Sequence, residues 1–228
     1  MMEWIMTKAT VLQALLPFMF KGLWMTVQIS LIAIALGVLL GLVLGVMRSQ
    51  SRFLFKNIIG LYLHLFRGTP YLVQVYIIYF VLPATGLEIF KFNAYTAAIV
   101  SLTLYTSSYA TEIVASAILT VPHGQVEAAR SVGMSKFQAL VHVVLPQAIP
   151  LTLPPLGSVY VNIIKSTAIL SIIGITELTR QGEVLIVRMP QHLMFIYCVI
   201  ALLYFAYCYP LLYLSKLAEK RFGALEHR

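Results

Sequence analysis

Stretches without a single charged residue divide this chain, and they restrict its fold more than any other feature. Four of them lie between Lys21 and Arg48, Lys91 and Glu112, Lys136 and Lys165, and Arg188 and Lys216. A fifth region, 58–87, is apolar apart from His64 and Arg67. Because about 20 apolar residues in helical conformation cross the hydrocarbon core of a bilayer, each region is long enough for one span. The chain is 60% hydrophobic and 11% charged, so lipid rather than water is its expected solvent.

This pattern predicts an all-α membrane protein that forms one transmembrane domain over 1–228. Its five predicted membrane segments are 22–47, 58–87, 92–121, 146–176 and 189–214. Residues 1–20 lack the basic start and the cleavage site of a signal peptide, and their mixed pattern predicts an interfacial helix. Almost no mass is then left outside the membrane.

Lysine and arginine residues orient the predicted spans. With the N-terminus outside, nine of them fall in the cytoplasm: Arg48, Arg52, Lys56, Arg130, Lys136, Lys216, Lys220, Arg221 and Arg228. Five fall outside: Lys8, Lys21, Lys91, Arg180 and Arg188. The positive-inside rule favours this orientation, which puts the C-terminus and the loop 122–145 in the cytoplasm. Basic residues near anionic headgroups also explain the net charge of +8, so nucleic acid is not an expected partner.

The loop 122–145 is the polar island of the chain. It contains Glu127-Ala128-Ala129-Arg130-Ser131-Val132-Gly133, and Val143-Val144-Leu145-Pro146 follows. Glu127 favours the positive end of a short helix, and Gly133 permits the chain to reverse into a second helix. In a chain with so little mass outside the membrane, such a loop predicts a docking surface for a soluble partner. The alternative is an ordinary amphipathic connector.

Two predicted spans contain helix-breaking residues. Arg67, Gly68 and Pro70 interrupt the second span, and irregular backbone at this depth must be buried in protein or face water. The alternative for Arg67 is snorkelling to the inner interface. In the fourth span, Pro154 and Pro155 predict a kink or a break that would expose backbone groups to a solute.

The spacing within the loop resembles the cytoplasmic EAA loop of binding-protein-dependent ABC importers. That loop has Glu-Ala-Ala, three residues, Gly, nine residues, Ile, one residue and Leu-Pro, and only Val143 departs from it here. Two further strings resemble the polar amino-acid branch of these permeases: Arg67-Gly68-Thr69-Pro70 and Tyr109-Ala110-Thr111-Glu112-Ile113. Ala115 and Leu119 stand where Arg and Gln are common in that branch, which puts gating charges at the cytoplasmic mouth in doubt.

The resemblance implies a multi-pass permease subunit of an ABC importer for polar amino acids in a bacterial cytoplasmic (inner) membrane. It implies three kinds of partner: an ATP-binding subunit in two copies, a second permease subunit in a homodimer or heterodimer, and an extracytoplasmic amino-acid-binding protein. It places the ATPase-docking residues in the loop: Gln125, Glu127, Ala128, Ala129, Gly133, Met134 and Ser135. The chain has no Gly-x-x-x-x-Gly-Lys-Ser/Thr string, so ATP and Mg²⁺ are expected on the partner ATPase. We expect no cofactor, metal site or catalytic residue of its own.

The predicted substrate path consists of Arg67, Thr69, Gln74, Lys165, Ser166, Thr167 and Ser171. An amino acid carries a carboxylate and an ammonium, and hydroxyl groups can serve both as donors and as acceptors. The string Lys165-Ser166-Thr167 matches the Lys-x-Thr pattern of the family. In that family, permeases for basic amino acids can carry an acid directly after the Lys. Ser166 stands there instead, which favours an uncharged or zwitterionic substrate. The alternative is that Lys165 snorkels and the two hydroxyls bond their own helix.

An ion-coupled secondary transporter of small solutes is the alternative function. Such a transporter would show internal repeats and buried acids, whereas Glu112 is the one acid expected near the membrane interior. For an importer, alternating access is expected at a dimer interface. Gly37, Gly41 and Gly45 form a small-residue face for close helix contact, either inside the bundle or between subunits.

Overall fold

The computed structural model describes residues 2–50 and 53–222, with side chains from residue 11 onward, and every regular element in these ranges is helical. The α-helices are α1 (Met2–Gln50), α2 (Phe53–Gly68), α3 (Tyr71–Tyr76), α4 (Ala94–Thr120), α5 (His123–Ser131), α6 (Lys136–Ala139), α7 (Leu145–Ser166), α8 (Leu178–Arg188) and α9 (Leu193–Phe222). Short π-helical and 3₁₀ turns join several of them. The predicted all-α class is confirmed.

Three helical stretches in the described ranges are long and apolar enough to cross a bilayer: Val11–Gln50, Lys136–Ile173 and Pro190–Phe222. A fourth arises if Phe53–Gly68 and Tyr71–Thr85 count as one broken span, in which the chain bends by 109°. The predicted interruption of the second span at Gly68–Pro70 is therefore confirmed. The count of five spans and their orientation stay predictions.

Helix α4 occupies the centre of the bundle, where it packs against α1, α2, α3 and α7. It has 27 residues, nine of which are Ser or Thr. Five of them are fully buried: Ser101, Thr106, Ser107, Ser108 and Thr111. Polar residues that face protein rather than lipid are compatible with a membrane helix, since such side chains can bond within the bundle.

Helix α1 is longer than the sequence pattern predicted. The predicted boundary between an interfacial helix over 1–20 and a span over 22–47 is wrong, because one helix continues from Met2 to Gln50. Leu15 and Met19 are fully buried and pack with α8 and α9. Tertiary packing of this segment extends the helix past the point where the hydropathy pattern changes.

The small-residue face of α1 packs inside the subunit. A Cβ atom built on Gly37 would lie 2.5 Å from Cβ of Thr106, and one on Gly45 would lie 2.6 Å from Cβ of Val114. Gly41 approaches Ala110 at least as closely. The expected helix contact is confirmed, and its location is the α1–α4 contact. These glycines therefore form the contact inside the bundle, which was one of the two locations expected for them.

Helix α7 contains Pro150, Pro154 and Pro155 but runs without interruption from Leu145 to Ser166. The break that was one of the two expectations at Pro154 and Pro155 is therefore wrong, and the kink stays a prediction. Each proline lacks an N–H, so Pro154 and Pro155 leave the carbonyls of Pro150 and Leu151 without their usual helical donors. Packing against neighbouring helices can hold such a segment in a membrane helix, and here the Ser215 hydroxyl of α9 donates to the Pro154 carbonyl at 2.8 Å. The change of helix type comes later, at a 3₁₀ segment over Thr167–Ile173 that ends at Gly174 with φ of 86°.

Glu177 fastens α8 to α9. Its carboxylate is fully buried, accepts from the backbone N–H groups of Thr179 at 2.9 Å and Arg180 at 2.7 Å, and accepts from the Tyr204 hydroxyl at 2.9 Å. Burial raises the pKa of this carboxyl, and the donated hydrogen bonds oppose that shift. The group caps the N-terminus of α8 and ties it to the last helix.

Glu177→Ala is expected to destabilise the subunit by about 1–3 kcal/mol, because it removes a helix cap and leaves buried donors unpaired. Thermal unfolding of the purified protein in detergent measures this as a lower Tm. Glu183→Ala is the matched control, since Glu183 pairs with Arg180 on the exposed face of the same helix at 3.0 Å. An exposed pair contributes about 0–1 kcal/mol, so equal losses for the two variants would contradict the tie.

Candidate functional site

The loop between α4 and α7 forms a tight helical hairpin. Helix α5 ends at Ser131, and Gly133 follows with a φ of 90°, in the left-handed region that favours glycine. The Met134 N–H donates to the Ala129 carbonyl at 3.1 Å, which closes the helix end with the αL cap expected after Gly133. Ser135 and Gln138 then cap α6 reciprocally, which starts the second helix at once. The predicted helix–glycine–helix loop is confirmed.

The exposed surface of this hairpin differs from the residue set predicted for docking. Gln125, Glu127, Ala128, Gly133 and Ser135 are exposed, Met134 is half-buried, and Ala129 is buried against the rest of the chain. Two large apolar residues were missed: Val132 is 75% exposed and Phe137 is 73% exposed. Their signal in the sequence was apolar side chains within the polar island. Exposed apolar residues on a polar loop are typical of an interaction surface.

The hairpin is joined to the membrane helix without a flexible linker. α6, a π-helical turn over Leu140–Val144 and α7 form one helical stretch. Val144 and Ala148 anchor its lower end against α4, in a cluster with Val114, Ile118 and Val121. Asn162 of α7 lies about 35 Å from the hairpin along this stretch, at 1.5 Å per residue.

The break in the second predicted span is a hydrogen-bonded elbow between α2 and α3. The Gln74 amide Nε2 donates to the Phe66 carbonyl at 2.7 Å, and to the Thr69 carbonyl and hydroxyl at 3.1 Å each. Gln74 is 6% exposed, and its Oε1 has no hydrogen-bond partner among the described residues. The elbow thus fixes Gln74 and leaves one buried acceptor available.

Charged side chains of three helices meet beside this elbow. The guanidinium of Arg67 lies 5.4 Å from the centroid of the Tyr109 ring, and its Nη1 lies 3.5 Å from Oε2 of Glu112. Nη1 of Arg48, near the end of α1, lies 2.6 Å from the same oxygen. These side chains line a cavity of about 480 Å³ together with Leu63, His64 and Gly68. Arg67 is therefore exposed but contacts both Tyr109 and Glu112.

A ladder of aromatic residues connects the elbow with α7. The hydroxyls of Tyr109 and Tyr105 are 3.2 Å apart, and Tyr105 lies near the side chain of Asn162 in α7. The ring of Tyr71, the first residue of α3, lies 4.9 Å from the ring of Tyr105. Tyr105 and Asn162 were missed by the sequence analysis, and Tyr109 was singled out only as part of a string that resembles the polar amino-acid branch. Their signal was the four-residue spacing of the two tyrosines, which puts them on one helix face.

The structure places the predicted α7 path residues on different sides of the chain. Lys165 is exposed and Ser166 is half-buried, and the Ser166 hydroxyl donates to the Asn162 carbonyl at 2.9 Å. Thr167 is fully buried and donates to the Ile164 carbonyl at 2.7 Å. Ser171 is half-buried in the 3₁₀ segment. Arg67 and Thr69 are exposed at the elbow, where Arg67 contacts Tyr109 and Thr69 contacts Gln74, whereas the Thr167 hydroxyl bonds within its own helical stretch.

The geometry can be compared with known proteins. A family profile described as "Binding-protein-dependent transport system inner membrane component" matches residues 37–223. The L-cystine transport system permease protein TcyB of Bacillus subtilis (strain 168) is 30% identical over 209 residues, covering 92% of this chain and 88% of that protein. The glutamine transport system permease protein GlnP of Escherichia coli (strain K12) is 34% identical over 171 residues, covering 75% and 78%. The crystal structure of an amino acid ABC transporter with histidines is 35% identical, covers 93% of this chain and 97% of its own, and gives a TM-score of 0.82.

Proposed function

The chain belongs to the family of binding-protein-dependent transport system inner membrane components, and we propose that it is the permease subunit of an ATP-driven importer of polar amino acids. It is a transport subunit of the inner membrane and not itself an enzyme. One observation carries the proposal: a single helical stretch, Lys136–Ile173, holds the exposed hairpin at one end and Asn162 and Ser166 near the other. Movement of the hairpin would thereby move the residues that contact the aromatic ladder.

The solute path is proposed to follow the face formed by Arg67, Tyr109, Tyr105, Asn162 and Ser166. Arg67 offers a guanidinium for the carboxylate of an amino acid, and such charge-assisted hydrogen bonds are among the stronger ones. The unpaired Oε1 of Gln74 offers an acceptor for the ammonium. The tyrosine rings and hydroxyls supply contacts that are neither strongly apolar nor ionic, which suits a site that must release its solute.

The path is proposed to open between two permease subunits, because one chain with an exposed polar face does not enclose it. Helix α4, which lies in the third predicted span, is proposed to cross the membrane as well and so to complete the count of five spans. Its buried hydroxyls would be satisfied inside the bundle, and the N-terminus of the chain would lie outside. Two ATP-binding subunits would then dock on the α5–α6 hairpins in the cytoplasm, through Gln125, Glu127, Ala128 and Ser135 and the apolar Val132 and Phe137. A solute-binding protein would deliver the amino acid from the opposite side. ATP and Mg²⁺ belong to the ATPase partner.

An uncharged or zwitterionic amino acid is the proposed cargo. Cystine and glutamine appear in the names of two relatives that cover most of this chain. The residue after Lys165 is Ser166, whose hydroxyl cannot balance the charge of a basic side chain.

Uptake of a panel of labelled amino acids by cells that express the whole transporter tests the class of cargo, and co-purification with an ATP-binding chain tests the assembly. A lack of uptake of every neutral amino acid would overturn the proposed cargo.

Ser166→Leu is expected to lower uptake roughly tenfold, corresponding to about 1.4 kcal/mol, because it places an apolar side chain beside Asn162 on the proposed path. Thr167→Val is the matched control: Thr167 is adjacent in sequence, but its side chain is buried and bonds its own helix. Both variants are expected to assemble and to keep basal ATP hydrolysis. Unchanged uptake by Ser166→Leu, with assembly intact, would show that the path lies elsewhere.

A further inference from the structure

Glu112 lies between two arginines that come from different helices. Its Oε2 is 2.6 Å from Nη1 of Arg48 and 3.5 Å from Nη1 of Arg67. One carboxylate carries one negative charge, whereas the two guanidinium groups carry one positive charge each at any physiological pH. The trio therefore keeps a net charge of +1, and the question is which arginine carries it.

The distances place the uncompensated charge on Arg67. The contact of Glu112 with Arg48 has the length of a strong charge-assisted hydrogen bond, and the contact with Arg67 does not. The side chain of Arg67 is also the more exposed of the two, at 42% against 23% for Arg48. Its guanidinium faces the cavity of about 480 Å³, where Tyr109 supports it from one side.

We propose that Arg48 is a specificity-determining positioning residue: it holds Glu112 so that Arg67 stays available for the carboxylate of the cargo. The same ion pair withholds Glu112 from a cationic side chain, and Glu112 is the one acid among the residues that line this cavity. The cavity therefore favours neutral amino acids over basic ones. The inference rests on the proposed function, because it assigns the cargo carboxylate to Arg67.

The test uses Arg48→Gln, Glu112→Gln and the double variant, each expressed with the complete transporter. Uptake is measured with the neutral amino acid that the wild type transports fastest, with unlabelled L-arginine as competitor. Arg48→Gln releases Glu112 to pair with Arg67, so KM for the neutral cargo is expected to rise roughly tenfold. L-arginine is expected to compete more strongly than in the wild type, because its side-chain cation can take the place of Arg48 at Glu112 and leave Arg67 for the carboxylate. Glu112→Gln leaves both arginines without a counter-ion, so the cargo carboxylate has no competitor for Arg67 and KM for the neutral cargo is expected to fall about twofold or more.

The double variant separates positioning from structure. It is expected to restore the KM of Arg48→Gln toward the wild-type value, because the competing carboxylate is gone. Failure of the second substitution to rescue uptake would show that Arg48 acts only through folding, and an unchanged KM in Arg48→Gln would also overturn the proposal. Arg180→Gln, which removes an arginine from the exposed α8 pair, controls for the loss of one positive charge.

Arg67→Met distinguishes this inference from the function on which it rests. If Arg67→Met retains normal uptake, the proposed path itself is wrong and Arg48 has nothing to position. If Arg67→Met abolishes uptake while Arg48→Gln behaves as the wild type, only the role of Arg48 fails. Subunit content in the membrane and ATP hydrolysis, measured for each variant, show that the complex is assembled.

Discussion

Gly41→Leu is expected to prevent folded subunit from accumulating in the membrane. Gly41 lies in the middle of the α1–α4 contact, the most extensive helix pair of the chain, and even a Cβ atom there would overlap Ala110. A leucine must push the two helices apart along the whole face. Overpacking of a well-packed core costs about 1–3 kcal/mol, and a backbone-to-side-chain clash in a helix contact belongs at or above the upper end of that range.

Gly60→Leu is the matched control for this experiment. Gly60 also lies inside a helix, but a Cβ atom on it would meet no atom within 4 Å, so the same substitution adds an apolar side chain in open space. The amount of each variant that elutes as a monodisperse complex in detergent measures the difference. Equal yields of Gly41→Leu and wild type would mean that α1 and α4 do not approach as closely as described.

Gly133→Leu is expected to uncouple ATP hydrolysis from uptake. The substitution meets no steric contact, since nothing lies within 4 Å of a Cβ atom on Gly133, but it forces a branched residue to a φ of 90°. Such a conformation costs on the order of 1–3 kcal/mol, so the α5–α6 corner is expected to open. Uptake should fall at least about tenfold, while ATP hydrolysis by the assembled complex changes much less.

Gly133→Asn and Gly124→Leu isolate the cause. Asparagine tolerates the left-handed conformation, so Gly133→Asn is expected to keep most of the uptake activity. Gly124 lies in the same loop, with open space around it and no positive φ, so Gly124→Leu tests bulk without strain. Uptake and ATP hydrolysis in reconstituted vesicles supply both measurements. Full uptake by Gly133→Leu would refute the role of this corner in coupling.

Several local features of the site were predictable from residues alone. Gly133 marked the reversal because its helix needs a left-handed residue at its end, and the hairpin forms as expected. Arg67, Gly68 and Pro70 marked the elbow because a charge, a glycine and a proline cannot continue a lipid-facing helix. In both cases the decisive interaction is between residues a few positions apart, so the sequence records it directly.

Other expectations failed where neighbours override local preference. Pro154 predicts a kink or a break by its own chemistry, yet α7 continues without a break and packs against α9, whose Ser215 hydroxyl donates to the Pro154 carbonyl. The pattern of residues 1–20 predicted a separate helix, yet Leu15 and Met19 pack with α8 and α9 and the helix does not end. Val132 and Phe137 are apolar residues in a polar loop, and only the tertiary structure shows that both are exposed rather than buried.

The sequence by itself determined the helical class, the preference for lipid and the places where the helices must end or reverse. Hydropathy, spacing and backbone stereochemistry act over one or two helical turns, so they can be recognised without a partner. Only the tertiary structure decided that the glycine face of α1 packs on α4, that Thr167 points into its own helix and that Tyr105 reaches Asn162. It also brought Arg48 to Glu112, 64 residues away along the chain. Such pairings depend on how whole helices pack, and many sequences with the same hydropathy pattern would pair them differently.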